Sequence, residues 1–207
     1  MNRDNSYPAS DFLTQFLGES ARLHHHLCPR QILGVRLGLA GLRELGFIDI
    51  SYKPRFDNND KRLLTIMETD GCGLDGVSVA TGCTVGKRTL RVIDYGKVAA
   101  TLIDTRRGRS IRLAPSQKAR KIALDSVPGA ESPWHAYLEA YKFISDKNLF
   151  VIKEVQLTRA IEDILSKPDA RVTCQVCSEE IINEREIIKG ELTLCRSCAG
   201  DRYYDEC

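Results

Sequence analysis

Apolar positions along the 207-residue chain recur first at helical spacing, then at strand spacing, and then give way to paired cysteines. Phe12, Leu13, Phe16 and Leu17 predict a short helix over 11–17, capped by Ser10 and stopped by Gly18, behind an N-terminal arm of residues 1–9. Ile32, Leu33, Val35, Leu39, Leu42 and Leu45 predict a long helix that starts at Pro29 and stops at Gly46. Gly34 and Gly38 leave a groove on it where another backbone can approach, within the chain or across a dimer.

Residues 47–62 read as a strand and loop turning at Asn58-Asn59-Asp60, and 63–69 as an alternating strand. Residues 74–80 suit a short helix. Further strands fall at 89–94, 98–104 and 110–113, with Tyr95-Gly96 and Arg107-Gly108 as turns. Residues 117–124 and 134–144 read as helices, and Trp134, Leu138, Tyr141 and Phe143 as core or interface packing. A β-prone run over 149–157 precedes a helical stretch over 159–165 that ends near Pro168.

Composition narrows this little: 43% hydrophobic and 28% charged residues are those of a soluble globular protein, and the length suits one domain plus a small module. No apolar run is long enough for a membrane span, and the start M-N-R-D-N-S-Y-P lacks the apolar core of a signal peptide, so the expected location is the cytoplasm. The net charge of +2 gives no strong preference for nucleic acid or membrane, but it is unevenly spread. Residues 86–121 hold eleven Lys/Arg against two Asp. Such a stretch can bind phosphate or another anion; charge that keeps strand edges soluble is the plainer reading. Its one aromatic, Tyr95, is too little for a nucleic-acid stacking platform.

Eight cysteines without a secretion signal, four of them in C-x-x-C pairs, favour reduced thiols and metal over disulfides. Cys174, Cys177, Cys195 and Cys198 form two such knuckles seventeen residues apart, a strong zinc spacing. Four thiolates leave no open position, so this Zn²⁺ is expected to be structural. A hairpin over 186–194 turning at Lys189-Gly190 and a short helix over 199–204 complete the outline of a treble-clef or ribbon-like finger. Five Lys/Arg against nine Asp/Glu over 168–207 argue against phosphate binding and for contact with protein. Cys207 is left unpaired.

The other chemistry lies upstream. Cys28 falls at the start of the long helix, where the positive end of the dipole favours the thiolate that binds metal or attacks an electrophile. His26, two residues before it, reaches the same side of an extended segment. Cys72 and Cys83 sit in glycine-rich turns beside strands, where Asp70 or Asp75 can orient a histidine or serve as turn and cap residues. The two clusters are expected to meet as one metal or thiol site.

The motifs H24-H-H-L-C-P29 with G34-V-R, D70-G-C-G-L-D75, T81-G-C-T-V-G-K87 and D94-Y-G-K97 resemble those of the FmdE family of formylmethanofuran dehydrogenase, in order and spacing over nearly the whole chain. The resemblance implies an α+β core, a mixed β-sheet flanked by helices and somewhat thioredoxin-like, over 1–167. A treble-clef zinc finger over 168–207 follows it. It implies a homodimer and a metal-binding active site drawing on His24, His26, Cys28, Cys72 and Cys83, with Asp70, Asp75, Thr81 and Lys87 around the pocket. The metal would be a transition ion beside the structural zinc, and the setting a subunit of a molybdenum- or tungsten-dependent oxidoreductase. The chain departs from the family at His25, Arg30 and Arg88, where the family has glycine. Two readings stand beside this one: a thiol-redox protein using Cys28 with Cys72 or Cys83, and a non-enzymatic adaptor that docks through its finger.

Overall fold

Every residue from 31 to 42 is buried, which makes the helix that carries them the axis of the core rather than a surface element. The structure, a computed structural model, describes residues 11–165, 167 and 169–205. The expected arm, the Ser10 cap, the Pro168 stop and Cys207 lie outside the described residues. The chain divides into two compact units, Met1–Thr158 and Arg159–Cys207.

In the first unit, α1 (Asp11–His24) and α2 (Pro29–Glu44) lead into a five-stranded sheet. Its strands are β1 (Leu63–Met67), β2 (Leu90–Val92), β3 (Ala100–Asp104), β4 (Arg109–Pro115) and β5 (Phe150–Val155), in the order β2-β1-β3-β4-β5. β1 and β2 are parallel, joined through α3 (Cys72–Thr81); every other pairing is antiparallel. The sheet is therefore mixed, helices flank it, and the fold is α+β. The helices α4 (Ala119–Ser126), α5 (Pro133–Ala140) and α6 (Asp146–Leu149) lie between β4 and β5.

The groove on α2 is filled from within the chain. A Cβ on Gly34 would stand 2.1 Å from the Gly73 carbonyl oxygen, and one on Gly76 2.4 Å from the Gln31 carbonyl oxygen. Further along, a Cβ on Gly38 would meet the Ala80 methyl at 2.7 Å. The contacts advance together along both helices, so α2 and α3 run the same way, backbone against backbone, and their N-termini open at one end of the molecule. On α2, Arg36 is fully buried. It donates to the Tyr141 carbonyl and to Asp146 Oδ1, each at 2.7 Å, and Arg43 also pairs with Asp146. This fixes α2 to the segment that follows α5.

Several expectations are corrected. α1 does not stop at Gly18 but runs to His24, because Leu13, Phe16, Leu17 and Ser20 are buried on one face while Gly18 faces open space. No strand forms between α2 and β1. There Asp49 accepts from the Ser51 and Lys53 N–H groups, and the Asn58 amide bonds both the N–H and the carbonyl of Leu63, so side chains take the backbone's bonds. α6 was not foreseen, being a single turn.

The second unit holds α7 (Ile161–Ile164) and two small ribbons, β6 (Arg171–Thr173) with β7 (Glu180–Ile182) and β8 (Ile187–Lys189) with β9 (Leu192–Leu194). The β8–β9 hairpin turns through Gly190 at a positive φ, as its sequence implies. The helix expected over 199–204 is absent: those residues run as turns and bends. Cys174, Ile181 and Leu194 are the whole buried apolar core of this unit among the described residues.

Gly34→Ala is expected to destabilise the protein by at least about 3 kcal/mol in chemical denaturation, because backbone on α3 cannot yield as a side chain can. Asp104, at the end of β3, gives a pH-dependent check. Burial raises its pKa, but two hydrogen bonds from Arg62 and the N–H groups of Arg106 and Arg107 outweigh that and hold it below its ordinary 3.8. A lowered carboxylate stabilises above its unfolded pKa and loses that contribution as pH falls through its folded pKa. Asp104→Asn should melt well below wild type at neutral pH, and the gap should narrow as the pH falls below 3.8.

Candidate functional site

Parallel β1 and β2 both end at the mouth of the α2–α3 pair, and the residues leaving them carry the chemistry. β1 leads through Gly71, at φ 81, into Cys72 as the first residue of α3. Cys28 is the N-cap of α2. Its thiol accepts from the Gln31 N–H, while the Cys28 N–H donates to Gln31 Oε1 at 2.8 Å. Gln31 Nε2 in turn donates to Ser20 on α1 at 2.9 Å, so one buried amide ties α1 to the start of α2.

His24, the last residue of α1, lies between a thiol and a carboxylate. Its Nε2 stands 3.3 Å from Cys72 Sγ and its Nδ1 3.3 Å from Asp75 Oδ2. The His26 ring packs on it at 4.8 Å between centroids. Burial pushes the Cys72 thiol up, and its hydrogen bond with Cys28 adds to this. The resting group is thus a protonated thiol with a base beside it: Asp75 orients the imidazole, which can take the Cys72 proton when an electrophile or metal arrives.

The remaining expected residues lie elsewhere. Cys83 is fully buried beyond the far end of α3, bonded by Asn58 Nδ2 at 3.4 Å and Thr65 Oγ1 at 3.3 Å. Burial pushes its thiol up as well. Thr81 bonds the Val77 carbonyl and accepts from the Cys83 N–H, closing the α3 end. Lys87 is exposed in the next turn, and Asp70 is exposed just before Cys72. The structure thus gathers His24, His26, Cys28, Cys72 and Asp75, and leaves Cys83, Thr81 and Lys87 outside. Two of the three departures from glycine have a local cost: His25 and Arg88 hold left-handed backbone at φ 61 and 62.

Cys28 and Cys72 line one side of a cleft of about 930 Å³. Arg30, Lys97 and Arg112 join them, and Trp134, Tyr137 and Tyr141 from α5 and the turn after it form another wall. Sequence reasoning left these out of the site. The aromatics read equally well as core, and the basic stretch gave no sign of which cations face inward. Arg36 offered a better signal, a lone charge among apolar helix positions, which implies a buried partner.

In the second unit Cys174, Cys177, Cys195 and Cys198 place their sulfurs within 4.8 Å of one another, among the described residues the one group of three or more such side chains that converges on a common point. The N–H groups of Cys177, Cys195 and Val176 hold the Cys174 thiol down at about 6. The Glu179 N–H pulls Cys177 down, but desolvation and the neighbouring thiols outweigh it and push that thiol up to about 12. Without a cation the four cannot all ionise; a tetrahedral metal removes that conflict, so the group fits one.

The FmdE family, described as "molybdenum formylmethanofuran dehydrogenase operon", matches residues 23–173, which takes in His24 to Cys83 and stops just short of Cys174. A probable S-adenosyl-L-methionine-binding protein of Archaeoglobus fulgidus is 34% identical over 101 residues, 49% of this chain; the chain spans only 26% of that relative. The crystal structure of an FmdE-like protein of tungsten formylmethanofuran dehydrogenase from Syntrophus aciditrophicus aligns over 93% of this chain and 94% of that one, with a TM-score of 0.55 and 21% identity. At that identity the likeness is one of fold.

Alkylation of the folded protein, mapped by peptide mass spectrometry, should modify Cys72 readily and leave Cys83 untouched. His24→Gln should slow Cys72 modification about tenfold by removing the base, with the rate in denaturant unchanged.

Proposed function

The chain belongs to the FmdE family, and from that premise we propose that its core is a metal-binding reaction centre of His24, Cys28 and Cys72. It would serve a molybdenum- or tungsten-dependent formylmethanofuran dehydrogenase or a related one-carbon system. The observation that carries the reading is the juxtaposition at the paired helix N-termini: Cys28 and Cys72 hydrogen-bonded to each other, with His24 Nε2 3.3 Å from Cys72. The donors are one imidazole and two thiols, a set suited to zinc or another soft transition ion. Such an ion supplies Lewis acidity and, with three protein ligands, keeps a position for substrate.

The protein's own groups have defined parts. Asp75 sets the ring of His24. His24 takes the proton from Cys72. The N-termini of α2 and α3 favour negative charge on both sulfurs. The aromatic wall limits water on the far side of the cleft. The C-terminal group is read as a structural Zn²⁺ finger, and the core and finger as two domains joined near 167/168. Self-association as a homodimer and docking on dehydrogenase subunits belong to the same reading. The exposed Val176, Ile188 and Tyr203 of the finger support a protein-contact role. Among the described residues no helix is long and apolar enough to cross a membrane.

One observation favours a second reading. Asp75, His24 and Cys72 form the orienter–base–nucleophile series of a thiol catalyst, with Cys28 placed to resolve an intermediate on Cys72. Cys83 is too far from either to share that task.

Metal content per chain, measured by mass spectrometry on protein purified without oxygen or added metal, tests the main reading. Two metals are expected, one lost in Cys28→Ser and the other in Cys174→Ser. A single metal lost only in Cys174→Ser would sink the core metal site, and a Cys28–Cys72 disulfide under mild oxidation would then favour the thiol reading.

A further inference from the structure

The cleft beside Cys28 and Cys72 carries charge that the thiol site does not need. Arg30, Lys97, Arg112 and Arg120 line it, and no Asp or Glu does. Arg112 is answered by Glu68 through two 2.6 Å bonds. Arg30, Lys97 and Arg120 make no ion pair among the described residues. They come from three separate elements: the first turn of α2, the turn after β2, and the first turn of α4. That turn after β2 is held in place, since the Tyr95 and Lys97 N–H groups both donate to the Glu68 carbonyl and Asp94 accepts from the Gly96 N–H. Three cations around one concavity raise its potential, and low-dielectric walls focus the field into it.

The opposite wall supplies a different chemistry. Trp134 stays 44% exposed although it lines the cleft, and Tyr137 and Tyr141 stack beside it at 5.6 Å. A half-bare indole within a concavity offers a face for a flat ring. The volume of about 930 Å³ suits an organic molecule of nucleotide size or larger better than a bare inorganic ion.

We propose that this cleft binds an organic anion, with its carboxylate or phosphate groups between Arg30, Lys97 and Arg120 and a planar part against Trp134. The proposal rests on the preceding reading only in that Cys28 and Cys72 form one side of the same cleft. Anion binding itself needs neither metal nor thiolate.

Trp134 is the one tryptophan of the chain, so its fluorescence reports the cleft directly. The full-length protein is titrated with adenosine 5′-monophosphate, with adenosine, and with citrate. Saturable quenching by the nucleotide is expected, with adenosine at least about tenfold weaker because only the phosphate differs. Citrate should bind or displace the nucleotide; whichever of the two anions binds more tightly identifies phosphate or carboxylate as the preferred group. Arg30→Gln combined with Arg120→Gln should weaken both anions by about tenfold or more without lowering the melting temperature, since both side chains are exposed. No saturable response to either anion, equal affinity for adenosine, or a double variant that binds like wild type would each overturn the proposal. Cys28→Ser separates the two readings: it should lose the core metal and keep nucleotide affinity. Nucleotide binding in a protein without a core metal would count against the preceding reading alone.

Discussion

The contact on which the site depends is the bare-backbone approach of α2 to α3. Gly34 meets Gly73 where no side chain fits, and Gly76 meets the turn of α2 around Gln31. Helices held apart by ordinary side chains sit about 8–10 Å axis to axis. Removing the side chains on both lets the helices lie closer, and because they run the same way their N-termini come together. Cys28 caps one and Cys72 begins the other. Two thiols far apart in sequence become neighbours through what lies between the helices, not through any attraction of their own.

The sheet completes the geometry. With β1 and β2 parallel, the residues leaving both strands arrive at the same end, so Cys72 and Lys97 are delivered together. Ligand sites in α/β arrangements gather at such carboxyl ends for this reason. The antiparallel β3 and β4 bring Ala99 and Arg112 to that end from the other direction. Arg36, held by the Tyr141 carbonyl and Asp146, then fixes the aromatic wall to the same helix that carries Cys28. A buried pair of this kind adds little net stability, but breaking it leaves a charge in the core, so the wall's position is strongly enforced.

Much of this was legible in the chain. The long helix, its glycine groove, the central strands and the four-cysteine knuckles each have a short-range signal: period, small residues, turn chemistry or metal-ligand spacing. The groove could be seen but not its occupant, because pairing Gly34 with Gly73 is a tertiary fact. Gly18 and the 47–62 stretch misled for one reason: local propensity yields when buried faces or side-chain amides supply other partners for the backbone. Cys83 resembled Cys72, each in a glycine-rich turn, yet they end at opposite ends of α3, one beside a base and one in the core. The cations of the cleft were visible only as a basic stretch, since which side of a turn a side chain leaves is set by the fold.

The two sulfur groups obey different electrostatics, and the difference bears on what the cleft must hold. In the finger, four thiols converge where only backbone N–H groups supply positive charge, so a dication is needed to let them ionise together. In the core, the helix N-termini and Arg30 already favour negative charge at the sulfurs. A dication bound by two thiolates and a neutral imidazole carries no net charge. It therefore neither uses up nor cancels the field of Arg30, Lys97 and Arg120. Those three cations stand unanswered within the described residues whether or not a metal is bound, and an anionic molecule seated beside the sulfurs is what would balance them.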